Sequence, residues 1–97
     1  MTILYHPEFR QFTHDASATM LLSYFWMLWK ASHQSTFEVT ITEIQVRTGL
    51  TRYEQQTARR ILQNLMILQT TRQGMPAKTS YTLDFEQVRN LLGDEHV

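Results

Sequence analysis

The chain has no cysteine, only two prolines and only three glycines in 97 residues. The first absence rules out disulfides, thiolate nucleophiles and cysteine-based metal sites, and it fits a reducing compartment, so a cytoplasmic location is expected. The scarcity of glycine and proline makes each one a candidate boundary: Pro7, Gly49, Gly74 with Pro76, and Gly93. There is no long apolar run. The longest, Met20 to Trp29, covers ten residues with Ser23 inside it, short of the about 18–20 a bilayer span requires, so no membrane partner is expected. The first residues, "MTILYHPEFRQF", lack a basic segment followed by an apolar one and do not read as a secretory leader. There is no internal repeat or low-complexity segment, and no net charge.

What is present is the composition of one folded domain, 42% hydrophobic and 19% charged. The charge is unevenly placed. Between Arg52 and Lys78 lie five cations (Arg52, Arg59, Arg60, Arg72, Lys78) and one anion, Glu54, a balance of +4; the remainder carries −4. A basic segment on an acidic background is a candidate surface for a polyanion.

Residues 1–14 read as an irregular lead-in, with a short helical turn after Pro7. Asp15 is positioned to cap an apolar helix over 15–32. Nearly all of "MLLSYFWMLW" is apolar or aromatic, so side chains of that kind point in every direction around the axis. A small domain covers only part of such a circumference, and Phe25, Trp26 and Trp29 are therefore expected at a subunit interface. "FEVTI" alternates like a half-buried strand. A short helix follows, capped by Thr40 or by Thr42, and Gly49 ends it. Leu50 reads as a buried plug in the turn. Thr51, with Glu54 three residues on, opens the next helix through a capping box. Helix, glycine turn and capped helix over 40–65 have the grammar of a helix-turn-helix. "ILQTTR" and "KTSYTLDF", separated by "QGMPA", read as a hairpin over 66–85, with a last helix over 86–92 entered through Asp84. The first strand can join the hairpin in a three-stranded sheet. The expected class is mainly α with a small β-sheet (α+β), a single winged helix-turn-helix domain over 1–97.

The helix over 51–65 carries the functional signal. At roughly 100° per residue, Ile61, Leu62 and Leu65 fall within about 60° of Ala58. Arg52, Tyr53, Gln56, Arg59, Arg60 and Gln63 point away from that seam. An ordinary solvated face mixes acids with bases; this one has three arginines and no acid. Arg pairs with guanine edges and Gln with adenine edges, and Arg also binds phosphate. The expected partner is double-stranded DNA. Arg72 and Lys78 flank the hairpin tip and could lie along the backbone or minor groove.

"LTRYEQQTARRILQNLMIL", followed by "GMPAKTSYTLDFEQVRNLL", resembles the winged-helix domains of phage and plasmid replication proteins, and the N-terminal domains of DnaD-type primosomal proteins. "HPEFRQFTHDASATMLLSYFWMLWK" is similar to the apolar, aromatic opening helix of that family, so the resemblance spans about residues 5–92. It implies that the second helix of the pair reads DNA, through Arg52, Tyr53, Gln56, Arg59, Arg60 and Gln63. It further implies that the opening helix builds a homo-oligomer and that another replication protein is a partner. The sequence departs from the family pattern in two places: Met66 stands where the family often has glycine between long helix and wing, and the wing has few cations.

Enzymatic chemistry is not expected. His6, His14, His33 and His96 have no metal-ligand spacing, Ser23 has no glycine-framed elbow, and Gly49 and Gly74 belong to no phosphate-binding motif. No cofactor or metal is expected. The second functional class is a protein-interaction module that keeps the winged-helix fold without DNA binding.

Overall fold

The computed structural model describes residues 3–73 and 78–93, and the side chains of these except Arg72, Gln73 and Lys78. Its opening is more ordered than an irregular lead-in. Pro7 starts a 3-10 turn over Pro7–Phe9, which passes into α1, Arg10–Thr13. Phe9 is 1% exposed, so the lead-in supplies a core residue. The segment is pinned where the His6 amide donates to Ser23 Oγ at 3.0 Å, while that hydroxyl donates to the Thr19 carbonyl.

The long helix α2 runs over Ala16–Ser32, and the Asp15 carboxylate accepts from the Ala18 amide at 2.8 Å, as a capping residue should. Ala18, Leu21, Leu22 and Phe25 form a fully buried stripe at helical spacing.

The first strand is shorter than the alternation of "FEVTI" suggests: β1 covers Thr36–Glu38. Thr40 already caps α3, Ile41–Thr48, and its hydroxyl accepts from the Glu43 amide at 3.0 Å. Of the two candidate caps, Thr40 is the one used, and the capping bond draws Ile41 out of the strand and into the helix. Gly49 ends α3 at φ 79°, a left-handed conformation open to glycine without a Cβ clash. Leu50 is buried in the turn. Thr51 and Glu54 close a reciprocal box at the start of α4, Arg52–Asn64, with amide-to-side-chain distances of 3.2 and 2.9 Å.

Strands β2, Leu68–Gln73, and β3, Lys78–Leu83, are antiparallel. β1 joins the far side of β3, giving the sheet order β1-β3-β2. Phe37, Tyr81 and Thr70 share one row across the three strands. Residues 74–77, the greater part of the expected "QGMPA" turn, lie outside the described residues, as do 94–97. Asp84 caps α5, Phe85–Leu91, by accepting from the Gln87 amide, so Phe85 belongs to this helix and not to the hairpin. Among the described residues the architecture is thus α+β, five α-helices with a small three-stranded antiparallel sheet. α2, α3, α4, the sheet and α5 close on one core built from Phe9, Phe25, Ile44, Leu62, Tyr81 and Val88 with their neighbours. No helix among the described residues is long and apolar enough to cross a membrane.

Candidate nucleic-acid interface

α4 is held from below and open above. Ala58 and Leu62 are fully buried and α4 packs against α2, while Arg52, Tyr53, Gln56, Arg60 and Gln63 are exposed. The Tyr53 side chain stands out at 76% exposure. Glu54, the one acid on the helix, is engaged in the capping box. Among the described residues the only contact between a basic side chain and a carboxylate is His6 Nδ1 with Glu8 at 2.8 Å, so none of them places a carboxylate within 4.0 Å of Arg52, Arg59 or Arg60. A face of cations without carboxylate partners among the described residues keeps its charge for an external anion.

The six outward residues are not equivalent. Arg59 is half-buried, and its guanidinium donates to the phenol oxygen of Tyr81 on β3 at 3.4 Å. Gln63 donates through Nε2 to Thr70 Oγ1 on β2 at 2.8 Å. These two lean on the sheet, leaving Arg52, Tyr53, Gln56 and Arg60 as the free part of the face. The backbones of Arg72 and Lys78 lie near the hairpin tip, where Arg72 is in register with Thr79 and Lys78 with Gln73; their side chains are outside the described residues.

Gln55 belongs to no motif of the sequence, yet it organises the turn. It is 1% exposed, and its amide donates to the carbonyls of Ile41 at 3.0 Å and Leu50 at 3.1 Å. One side chain thereby ties the start of α3 and the glycine turn to the first turns of α4, fixing the angle at which α4 is presented. Its Oε1 has no hydrogen-bond partner among the described residues. The sequence did carry a signal, since Gln55 falls at about 60° from Ala58, inside the apolar arc. Tyr81 was likewise legible as a β3 residue on the buried side of an alternating strand, but its hydroxyl's partner was not.

The three aromatic residues expected at an interface separate into two groups. Phe25 is fully buried, between Tyr81 at 5.1 Å and Phe37 at 5.9 Å by ring centroids, and presents no surface to a second protomer. Trp26 and Trp29 are half-buried, 5.0 Å apart, with Phe9 against Trp26 at 5.6 Å and Phe85 stacked on Trp29 at 4.6 Å. A shallow groove of about 220 Å³ runs beside this region between Met66, Gln69 and Phe85. Among the described residues no group of three or more His, Asp or Glu side chains is placed to hold a metal ion.

No family model matches the chain, and no curated protein or solved structure matches it significantly.

Proposed function

We propose that this chain is a winged-helix protein that binds double-stranded DNA through α4, acting as a homodimer or higher oligomer in replication initiation or transcription regulation of a phage or plasmid. The observation that carries the reading is the outward face of α4: Arg52, Gln56 and Arg60 are exposed together, with no carboxylate within 4.0 Å among the described residues. Arg and Gln are the side chains best suited to purine edges in a major groove, which is wide enough to admit a helix. The order α3, glycine turn, α4, hairpin supports a helix-turn-helix with β2 and β3 as the wing. The replication context rests on the sequence resemblance to phage and plasmid replication proteins. Half-exposed Trp26 and Trp29 on α2 support self-association.

The same two tryptophans favour a second reading, a protein-interaction module whose partner seats on the aromatic surface. Charge logic separates the two. Binding to phosphates falls steeply with salt because counterions are released, whereas an aromatic interface responds weakly. The test is fluorescence anisotropy with labelled duplex DNA at two salt concentrations, for the parent and for the Arg52/Arg59/Arg60 triple alanine variant. Salt-dependent binding by the parent, lost in the folded variant, supports DNA recognition by α4. Equal affinity of the two proteins would remove it.

A further inference from the structure

We infer that Tyr81 is a positioning residue for DNA binding: from the centre of the sheet it holds the Arg59 guanidinium at the junction of α4 and the hairpin, aimed at a backbone phosphate and not at a base. The inference rests on the DNA reading of α4 and adds a division of labour within that face.

Tyr81 is fully buried and held by its ladder neighbours Phe37 and Thr70 and by the Phe25 ring at 5.1 Å. Its hydroxyl therefore occupies a fixed place. The Arg59 guanidinium donates to that hydroxyl at 3.4 Å and is itself half-buried. A guanidinium has five N–H donors and always carries its charge. Among the described residues its hydrogen-bond partner is this phenol oxygen, and no carboxylate stands within 4.0 Å. A cation partly withdrawn from water without a counter-charge is under-compensated, and an incoming phosphate supplies what the protein leaves out. The neighbouring pair repeats the arrangement, with Gln63 held by Thr70 at 2.8 Å. Side chains tethered to the sheet cannot follow base edges into a groove. Those on the free side (Arg52, Gln56 and Arg60) can. Phosphate contacts set register and base contacts set sequence, so the sheet side of α4 positions and the free side specifies.

The test uses the whole chain and a labelled random-sequence 30-base-pair duplex, with anisotropy titrations over a range of salt concentrations. Arg59→Ala should flatten the slope of log K against log salt by about 0.9, the loss of one phosphate contact. Tyr81→Phe leaves every charge in place. It should nonetheless flatten the slope in the same way and weaken binding by about threefold to tenfold, the reach of one hydrogen bond. Adding Tyr81→Phe to Arg59→Ala should then change nothing further. A merely structural role for Tyr81 would weaken binding without moving the slope, and would add to Arg59→Ala. That result overturns the inference, as does a Tyr81→Phe protein that binds like the parent while Arg59→Ala is impaired. If Tyr81→Phe does not fold, Arg59→Lys serves instead. It keeps the charge but loses the planar fork that spans phenol and phosphate, so an unchanged slope overturns the inference and a flattened one supports it. A parent that shows no salt-dependent binding at all overturns the DNA reading itself, a different result from any of these.

Discussion

Trp29 stacks on Phe85, ring centroids 4.6 Å apart and planes 18° from parallel, so the last turns of α2 are bonded face to face with the first residue of α5. Both rings remain half-buried. Phe85→Ala removes the stacking and part of the buried area, and should lower stability by about 1–2 kcal/mol, read as a shift of the urea midpoint.

The same surface predicts association. Two copies meeting through α2 would cover what remains exposed of Trp26 and Trp29, a fraction of the about 1.5–3 kcal/mol that burying a large apolar side chain completely is worth. Sedimentation at micromolar concentration should show a homodimer or larger species, and quencher access to tryptophan should fall as concentration rises. A monomer whose tryptophan access is independent of concentration would remove α2 from consideration as an interface.

Thr51 and Glu54 satisfy each other's orphan amides at the start of α4. Thr51→Ala should cost about 1 kcal/mol of stability and Thr51→Ser much less, because serine keeps the capping oxygen. Thermal unfolding of the two variants beside the parent checks both.

Met66 sits between α4 and β2 at φ 61°, with its side chain 75% exposed. A left-handed backbone costs a residue with a Cβ roughly 1–2 kcal/mol, and the exposed side chain returns little packing. Met66→Gly should therefore stabilise the protein by about 0.5–1 kcal/mol after the greater freedom of glycine in the unfolded chain is counted. The melting temperature should rise by a few degrees. An unchanged or lower value would mean that Met66 makes contacts that offset its backbone.

Burial raises the pKa of the Tyr24 phenol above its ordinary value of 10.0, the Glu43 carboxylate raises it further, and Arg47 opposes both. Its folded pKa lies above its unfolded one, so the neutral phenol's contribution is fully present below pH 10 and is lost as pH climbs through the folded pKa. Stability should decline above about pH 10, and less steeply in Tyr24→Phe, which has no proton to lose there. Chemical denaturation at pH 8 and pH 11 measures the difference.

On DNA, Arg60→Ala or Gln56→Ala should weaken specific binding by about 1–3 kcal/mol where either touches a base. Gln63→Ala should have a smaller effect, since its amide is already engaged by Thr70. Competition between a selected site and random duplex, titrated for the three variants, orders them.

What was legible in advance was local. Asp15, Thr40, Thr51 and Asp84 each cap a helix by accepting an amide three residues ahead, and Gly49 stops α3 through its own backbone. Such bonds form within a few residues, so the residue types that make them stand in the sequence as a readable unit. The apolar arc of α4 and the alternation of β3 are readable for the same reason, because each follows from the period of its own element.

The folded chain decided the rest. β1 ends at Glu38 because two candidate structures competed for Thr40 and Ile41, and the capping bond took them. Burial of Phe25 and partial exposure of Trp26 and Trp29 depend on which neighbours surround α2, which one helix's periodicity does not specify. The separation of Arg59 and Gln63 from the other outward residues of α4 comes from partners on the sheet. Tyr81 lies 22 residues from Arg59, and Thr70 lies seven from Gln63 across the turn at Met66. Helical spacing shows which side chains leave the core together. What each then meets depends on where β2 and β3 come to rest, and that is set by long-range packing of Tyr81, Leu83, Leu62 and Phe25 in one core.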